Sequence, residues 1–401
     1  TRRLGNLLLV WSGGLAIGTA AAAFSGSETF YRDVAMPSVH RLLDPETAHR
    51  LAIWGLARAP SWLLTSTATQ AAPQLSIKAF NRDFPHPVGL AAGFDKDAQA
   101  VDSLFRLGFS FVEVGSVTPL PQPGNPKPRV FRLSADSAII NRYGFNSCGH
   151  EQALVNLRSA SASGWVGVNL GANKSSSDPA GDYALGARKF ASTADYLVIN
   201  VSSPNTPGVR DLQRRQKLQN LLAGVLAAAD EAVKLDGWKG KRGVGRPPVL
   251  LKISPDCSDQ ELADICAVAE SVGADGLIIS NTTVSRPSSL SASSDLTGQA
   301  GGLSGQPLAV LANRAISSAY RLTGGRMPII GVGGLCSGAD ALEKLESGAC
   351  LLQLYTALVY EGPPVVNRIN RELEALLKAK GYRSVADAVG AKHRAEKCSG
   401  R

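Results

Sequence analysis

The segment "NVSSPNTPG", Asn200–Gly208, closes the apolar run "DYLVI" with two serines and two asparagines. No His or Asp stands beside those serines to take up a proton, so the pattern is not that of a hydrolase triad. Polar residues also end other apolar runs: Ala92-Gly93 with Lys96, Gly115-Ser116, Asn169, Lys252, Asn281-Thr282, Gly333-Gly334 and Tyr355-Thr356. Most are uncharged hydrogen-bonding groups, accompanied by two lysines. Asp95 alone makes no carboxylate pair, which disfavours glycoside chemistry. No HExxH or three-histidine set offers a catalytic zinc site. The six cysteines, Cys148, Cys257, Cys266, Cys336, Cys350 and Cys398, have no CxxC spacing, so zinc and iron–sulfur sites are disfavoured and free thiols are expected.

An asparagine amide donates and accepts at once, so several at equivalent run ends suit a planar heterocycle. "GVGG", ending at Gly334, lets backbone N–H groups approach a phosphate closely, although alone it reads equally as a tight turn. "GGLSG", Gly301–Gly305, is a second such loop or a linker. Lys252 lies inside the apolar "LLKIS" and needs a partner or an anionic ligand there. It could stabilise a reduced flavin, form a Schiff base or sit in an ion pair.

Eight short apolar runs must position these groups. They begin at Val88, Phe111, Trp165, Tyr196, Val249, Gly276, Pro328 and Leu351. Each is too short for a helix and suits a strand buried on both faces. Helical patterns such as "LQNLLAGVLAAADEAVKL" and "QELADICAVAESVGA" separate them. Eight strands in β–α alternation predict a TIM (β/α)8 barrel, an α/β fold. An open doubly wound sheet is the runner-up, and it would usually carry an early GxGxxG that is absent here. "SRPSSLSASSDLTGQAGG", Ser285–Gly302, reads as a loop.

Upstream, "LGNLLLVWSGGLAIGTAAAAFSGS", Leu4–Ser27, carries no charge and follows Arg2 and Arg3. Its length is near the roughly 20 residues that cross a bilayer. A transmembrane anchor is expected, against a cleaved signal peptide or a buried helix. The arginines place the main domain on the face opposite the N-terminus. Next come two short amphipathic helices broken at Pro37, Pro45 and Pro60, the second opened by "DPET" as N-cap and first-turn proline. The expected units are an anchor over 1–27, a helical extension over 28–68 and a barrel over 69–401. Of the 401 residues, 44% are hydrophobic, enough for a large core. The net charge of +9 comes without a recognition motif, so no nucleic-acid partner is expected.

Together "AAGFDK", "FVEVGSVTP", "INRYGFNS", "GVNLGANKS", "VINVSSPNTPG", "LLKISPD", "ISNTTVSRP", "GGLSGQPL", "IIGVGG" and "LQLYTAL" resemble the class 2 dihydroorotate dehydrogenases. These are the membrane-bound, quinone-linked enzymes of pyrimidine synthesis. The resemblance implies FMN as cofactor, (S)-dihydroorotate as substrate, orotate as product and ubiquinone as electron acceptor. It implies Ser203 as the base that takes the C5 proton. Lys96, Asn141, Arg142, Tyr143, Gly144, Phe145, Asn200, Asn205, Asn281 and Thr282 would hold the substrate. Ala91, Ala92, Gly93, Phe94, Asp95, Ser116, Asn169, Asn200, Lys252, Ser280, Gly305, Gly334, Tyr355 and Thr356 would hold FMN. His49, Arg132 and Tyr355 would meet the quinone, in a tunnel with sides such as Leu42, Leu51 and Leu56. No metal is implied. The location implied is the mitochondrial inner membrane, with a single pass and the catalytic domain facing the intermembrane space. The tail "KHRAEKCSGR" is given no role.

Overall fold

The computed structural model describes residues 22, 25–60, 72–161, 164–205, 210–235 and 245–394. Eight parallel strands close into a barrel in chain order. They are β1 (Val88–Leu90), β2 (Phe111–Val117), β3 (Trp165–Leu170), β4 (Tyr196–Asn200), β5 (Val249–Ile253), β6 (Gly276–Ile279), β7 (Ile329–Val332) and β8 (Leu351–Leu354). These are the eight runs expected, and closure excludes the open sheet. Every residue of β3, β4, β5 and β6 is buried. Strands covered on both faces need apolar side chains throughout, which is why the runs are continuous rather than alternating.

An antiparallel pair, Ile77–Ala79 with Arg82–Phe84, plugs the N-terminal end. There Trp165 stacks on Tyr196 at 4.1 Å and on Phe80 at 5.3 Å. Glycine makes room for this aromatic floor: a β-carbon on Gly167 would lie 2.1 Å from the Tyr196 ring. Amphipathic helices ring the barrel. Helix Asp259–Val272 shows the local logic, with a Ser258/Glu261 capping box at one end and Gly273 in the left-handed region at the other.

Two additions cover the C-terminal mouth. One is a three-stranded antiparallel sheet, ordered Gly302–Gly305, Ala138–Asn141, Val130–Leu133. It joins an excursion after β2 to one after β6, and its pairing was not anticipated. The other is helical from Glu28 to Leu42, with a π segment at Tyr31–Ala35, and ends in α1 (Met36–Leu42). Leu43 turns the chain, and Asp44 accepts from the N–H groups of Glu46 and Thr47 to start α2 (Pro45–Arg58) with Pro45 in its first turn, as "DPET" predicts.

Few polar ties fasten this helix pair. Arg132 of the mouth sheet donates to the carbonyls of His40 and Leu43, both at 2.9 Å. Arg129 grips Glu46 at 2.8 and 3.1 Å, and Ser103 donates to the Leu56 carbonyl. The 285–301 segment is irregular apart from one turn at Ser294–Thr297, and Gly302 already belongs to the mouth sheet, yet the segment is well tied. Arg286 donates to the carbonyls of Thr297, Gln299 and Gly301, and Asp136 accepts from the N–H groups of Ser291 and Ala292.

The expected anchor falls almost wholly outside the described residues, as does most of the tail. Among the described residues no helix is long and apolar enough to cross a membrane.

Candidate active site

A cavity of about 660 Å³ starts at the C-terminal ends of the strands and runs out between α1 and α2. It is lined by every residue expected to hold substrate, cofactor or quinone except Asp95, Arg142 and Asn169. Strand geometry explains the convergence: residues that end parallel barrel strands share one rim. The register pairs Asn200 with Lys252 and Gly115 with Asn169, so groups far apart in sequence become neighbours.

The three exceptions have clear causes. Asp95 turns its buried carboxylate to the N–H groups of Gln99 and Ala100, both at 2.8 Å. Burial raises its pKa to about 6, against the lowering effect of those bonds. Arg142 points outward to Gln299, Ala300 and Pro128. Asn169 lies one layer deeper and donates to Glu113 at 2.7 Å.

Sequence reading missed Glu113, together with the cavity-facing Asn146 and Gln353. Glu113 is fully buried in β2. It accepts from Asn169, from Lys252 at 3.2 Å and from Gln353 at 2.7 Å. A glutamate inside "FVEVGSV" was the available signal, since a buried charge requires partners. Lys252 therefore sits in an ion pair while its side chain still reaches the cavity.

Ser203 is 6% exposed, and its oxygen accepts the Asn205 N–H at 3.3 Å. Asn205 in turn donates to Asn141 at 3.4 Å, linking this loop to the mouth sheet. Lys96 donates to the Gly93 carbonyl at 3.1 Å and lies 3.8 Å from the centre of the Tyr143 ring. Burial lowers the Lys96 ammonium to about 8, with Arg129 adding to the effect and Asp97 opposing it. An anion bound beside it would favour the charged form.

On the helix side His49 Nε2 lies 2.6 Å from the Phe94 carbonyl. A carbonyl only accepts, so that nitrogen carries the proton. Burial lowers the ring's pKa to about 4, helped by Lys96 and opposed by Phe94, so His49 is neutral with Nδ1 left to accept. Its ring lies 5.3 Å from Phe94 and 6.3 Å from Tyr355. Leu51 and Leu56 line the passage as expected. Leu42 does not: it is 80% exposed, and Leu43 takes the place on the wall, because the chain turns at that residue.

Two observations test whether a flavin phosphate and a pyrimidine fit. Asn146 Oδ1, Asn205 Oδ1 and Gln353 Oε1 are buried without a partner, and all three residues face the cavity. Such acceptors call for ligand N–H groups. Gly305 and Gly334 hold positive φ of 95° and 71°, and a β-carbon on Gly334 would fall 2.5 Å from Ala309. Main chain thus approaches main chain in the way a phosphate cradle requires.

A family model for dihydroorotate dehydrogenase matches residues 74–377. The mitochondrial dihydroorotate dehydrogenase (quinone) of Mus musculus is 49% identical over 401 residues, 98% of either chain. The dihydroorotate dehydrogenase (quinone) of Rhodospirillum rubrum is 52% identical over 352 residues, 88% of this chain and 92% of that one. Among solved structures, DHODH from Eimeria tenella in complex with ferulenol superposes with a TM-score of 0.82 at 38% identity, covering 90% of this chain and 99% of that one.

Proposed function

The chain belongs to the quinone-dependent, class 2 dihydroorotate dehydrogenases, and from that premise we propose how its residues divide the oxidation of (S)-dihydroorotate to orotate. The observation that carries the reading is the continuity of one cavity, polar where the strands end and apolar between α1 and α2. A polar substrate and an apolar oxidant can then be served by one cofactor between them.

Lys96, with Asn141, Tyr143, Gly144, Phe145, Asn200, Asn205, Asn281 and Thr282, holds the substrate ring and its carboxylate. The lysine supplies the countercharge and the amides match ring N–H and C=O groups. Ser203 takes the C5 proton. The Asn205 N–H aimed at its oxygen stabilises the negative charge gathered there as the serine hands its own proton to water. FMN, when bound, would supply the acceptor for the C6 hydride and the redox link to ubiquinone. Ala91–Phe94, Ser116, Asn200, Lys252, Ser280, Gly305, Gly334, Tyr355 and Thr356 hold it. Asn169 contributes from the layer below, and Asp95 through its turn rather than its carboxylate.

Neutral His49, Arg132 and Tyr355 meet the quinone head, and Leu43, Leu51 and Leu56 wall its path. Residues 1–27 anchor the chain in the mitochondrial inner membrane by a single pass, with 28–68 as the quinone-gathering extension. Residues 69–401 form the FMN barrel on the intermembrane-space side.

The test is anaerobic mixing of the purified holoenzyme with dihydroorotate, followed by a soluble ubiquinone analogue. The flavin band should bleach and then return. A colourless protein that riboflavin phosphate does not reconstitute would end this reading.

A further inference from the structure

The side-chain amides at the mouth form a head-to-tail relay. Asn169 Nδ2 donates to Glu113 at 2.7 Å. Asn169 Oδ1 accepts from Asn200 Nδ2 at 3.2 Å. Asn200 Oδ1 accepts from Asn281 Nδ2 at 3.1 Å, and Asn281 Oδ1 accepts the backbone N–H of Thr282 at 2.8 Å. An amide has no preferred direction of its own, because its two ends are nearly the same size and differ only in donor and acceptor character. Here both ends of the row are terminated by groups that cannot reverse. The Glu113 carboxylate accepts from Lys252 and Gln353 as well and so presents only acceptors to the row, and a backbone N–H only donates. The order in between has one consistent solution.

Two of the amides so ordered, Asn200 and Asn281, face the cavity, whereas Glu113 does not. We infer that Glu113 is a positioning residue for substrate: acting through Asn169, it joins the backbone N–H groups of Ser202 and Thr282 in fixing which atoms of Asn200 and Asn281 a pyrimidine ligand meets. A glutamine at this position could donate or accept, and the row would lose its defined start. Buried polar networks respond strongly to such changes, since a reversed amide places donor against donor in low dielectric. Glu113 also pairs with Lys252, so the test must separate the relay from the ion pair.

This inference rests on the substrate reading above. The experiment uses flavin-loaded enzyme, with wild type first shown to bleach with dihydroorotate; failure at that step condemns the reading of the site itself. Glu113→Gln, Asn169→Ser and the double variant are then compared by orotate affinity, read from the flavin spectral change, and by the KM for dihydroorotate and for a ubiquinone analogue. Each single variant should weaken orotate and raise the dihydroorotate KM about tenfold, the worth of one buried hydrogen bond, and leave the quinone KM unchanged. The double variant should be no worse than either single one, because both cut the same relay. Additive losses would assign the effect to Lys252 and overturn the inference, as would a quinone KM that moves in parallel. Should Glu113→Gln not fold, Asn169→Ser decides alone: unchanged orotate affinity in it refutes the relay.

Discussion

The two ends of the cavity are built on opposite principles. At the strand ends Glu113, Asn169, Asn200 and Asn281 are tied to one another or to Lys252 by hydrogen bonds, on a barrel whose strands are almost wholly buried. Between the helices the walls are Met36, Val39, Leu43, Leu51 and Leu56, and α1 and α2 together bury a single residue, Ile53. The polar end is over-determined, so that small substrate groups meet fixed partners. The apolar end is fastened by a few side chains, among them Arg132, Arg129, Ser103 and His49, and offers surface rather than direction. An oxidation that needs a placed proton acceptor and a hydrophobic co-substrate needs both kinds of construction. If the contrast is real, changes at the polar end should be costly and specific, and changes at the apolar end mild and confined to the quinone.

Ser203→Ala should produce the largest effect. Loss of a positioned proton acceptor costs roughly 10²–10⁴-fold in turnover, and the flavin should stay bound, because among the described residues the side chain's hydrogen-bond partner is the Asn205 N–H. Steady-state kinetics on yellow protein check this; unimpaired turnover would remove Ser203 from the mechanism. Lys252→Met comes next. It leaves Glu113 buried without its cation, which should destabilise the fold by about 3–5 kcal/mol and weaken flavin retention, both measurable by denaturant titration.

The contrast sharpens with Gly55→Leu on α2, which lines the passage with open space around its Cα. The quinone KM should rise about tenfold, while bleaching by dihydroorotate keeps its wild-type rate. Stability should hold or improve by up to about 1 kcal/mol, as glycine is a poor helix former. A slowed bleaching rate would show that the two ends are not separable.

A separate effect, confined to neither end of the cavity, is on pH dependence. His49 at the passage and His86 beneath the barrel are each lowered by burial to about 4 from 6.5. Between those values the unfolded chain binds more protons than the folded one. The stability these groups contribute is therefore complete above about pH 6.5 and is lost as pH falls toward 4. Each can cost up to about 1.4 kcal/mol per pH unit. The melting temperature should fall on acidification from pH 7 to pH 5, and His49→Gln should flatten that slope. A melting temperature that rises instead would contradict the buried, neutral assignment.

All eight barrel strands and the polar strand-end residues of the cavity are legible in the amino-acid sequence. Doubly covered strands demand unbroken apolar runs, and parallel strands put the polar residues that end them on one rim. The N-cap at Asp44 is equally local, because a cap involves only its next three residues. What could not be read is everything that depends on register and on side-chain direction. Glu113 announces itself only as a charge in an apolar run; its partners Lys252 and Gln353 lie 139 and 240 residues away and meet it only when the barrel closes. The mouth sheet joins Asn141 to Gly302 across the same kind of distance. Whether Leu42 or Leu43 lines the passage depends on one turn of the backbone between two helices. Composition along the chain determined which elements form and what chemistry their ends carry. Only closure of the barrel, which fixes strand neighbours and aims their side chains, decided which of those groups touch.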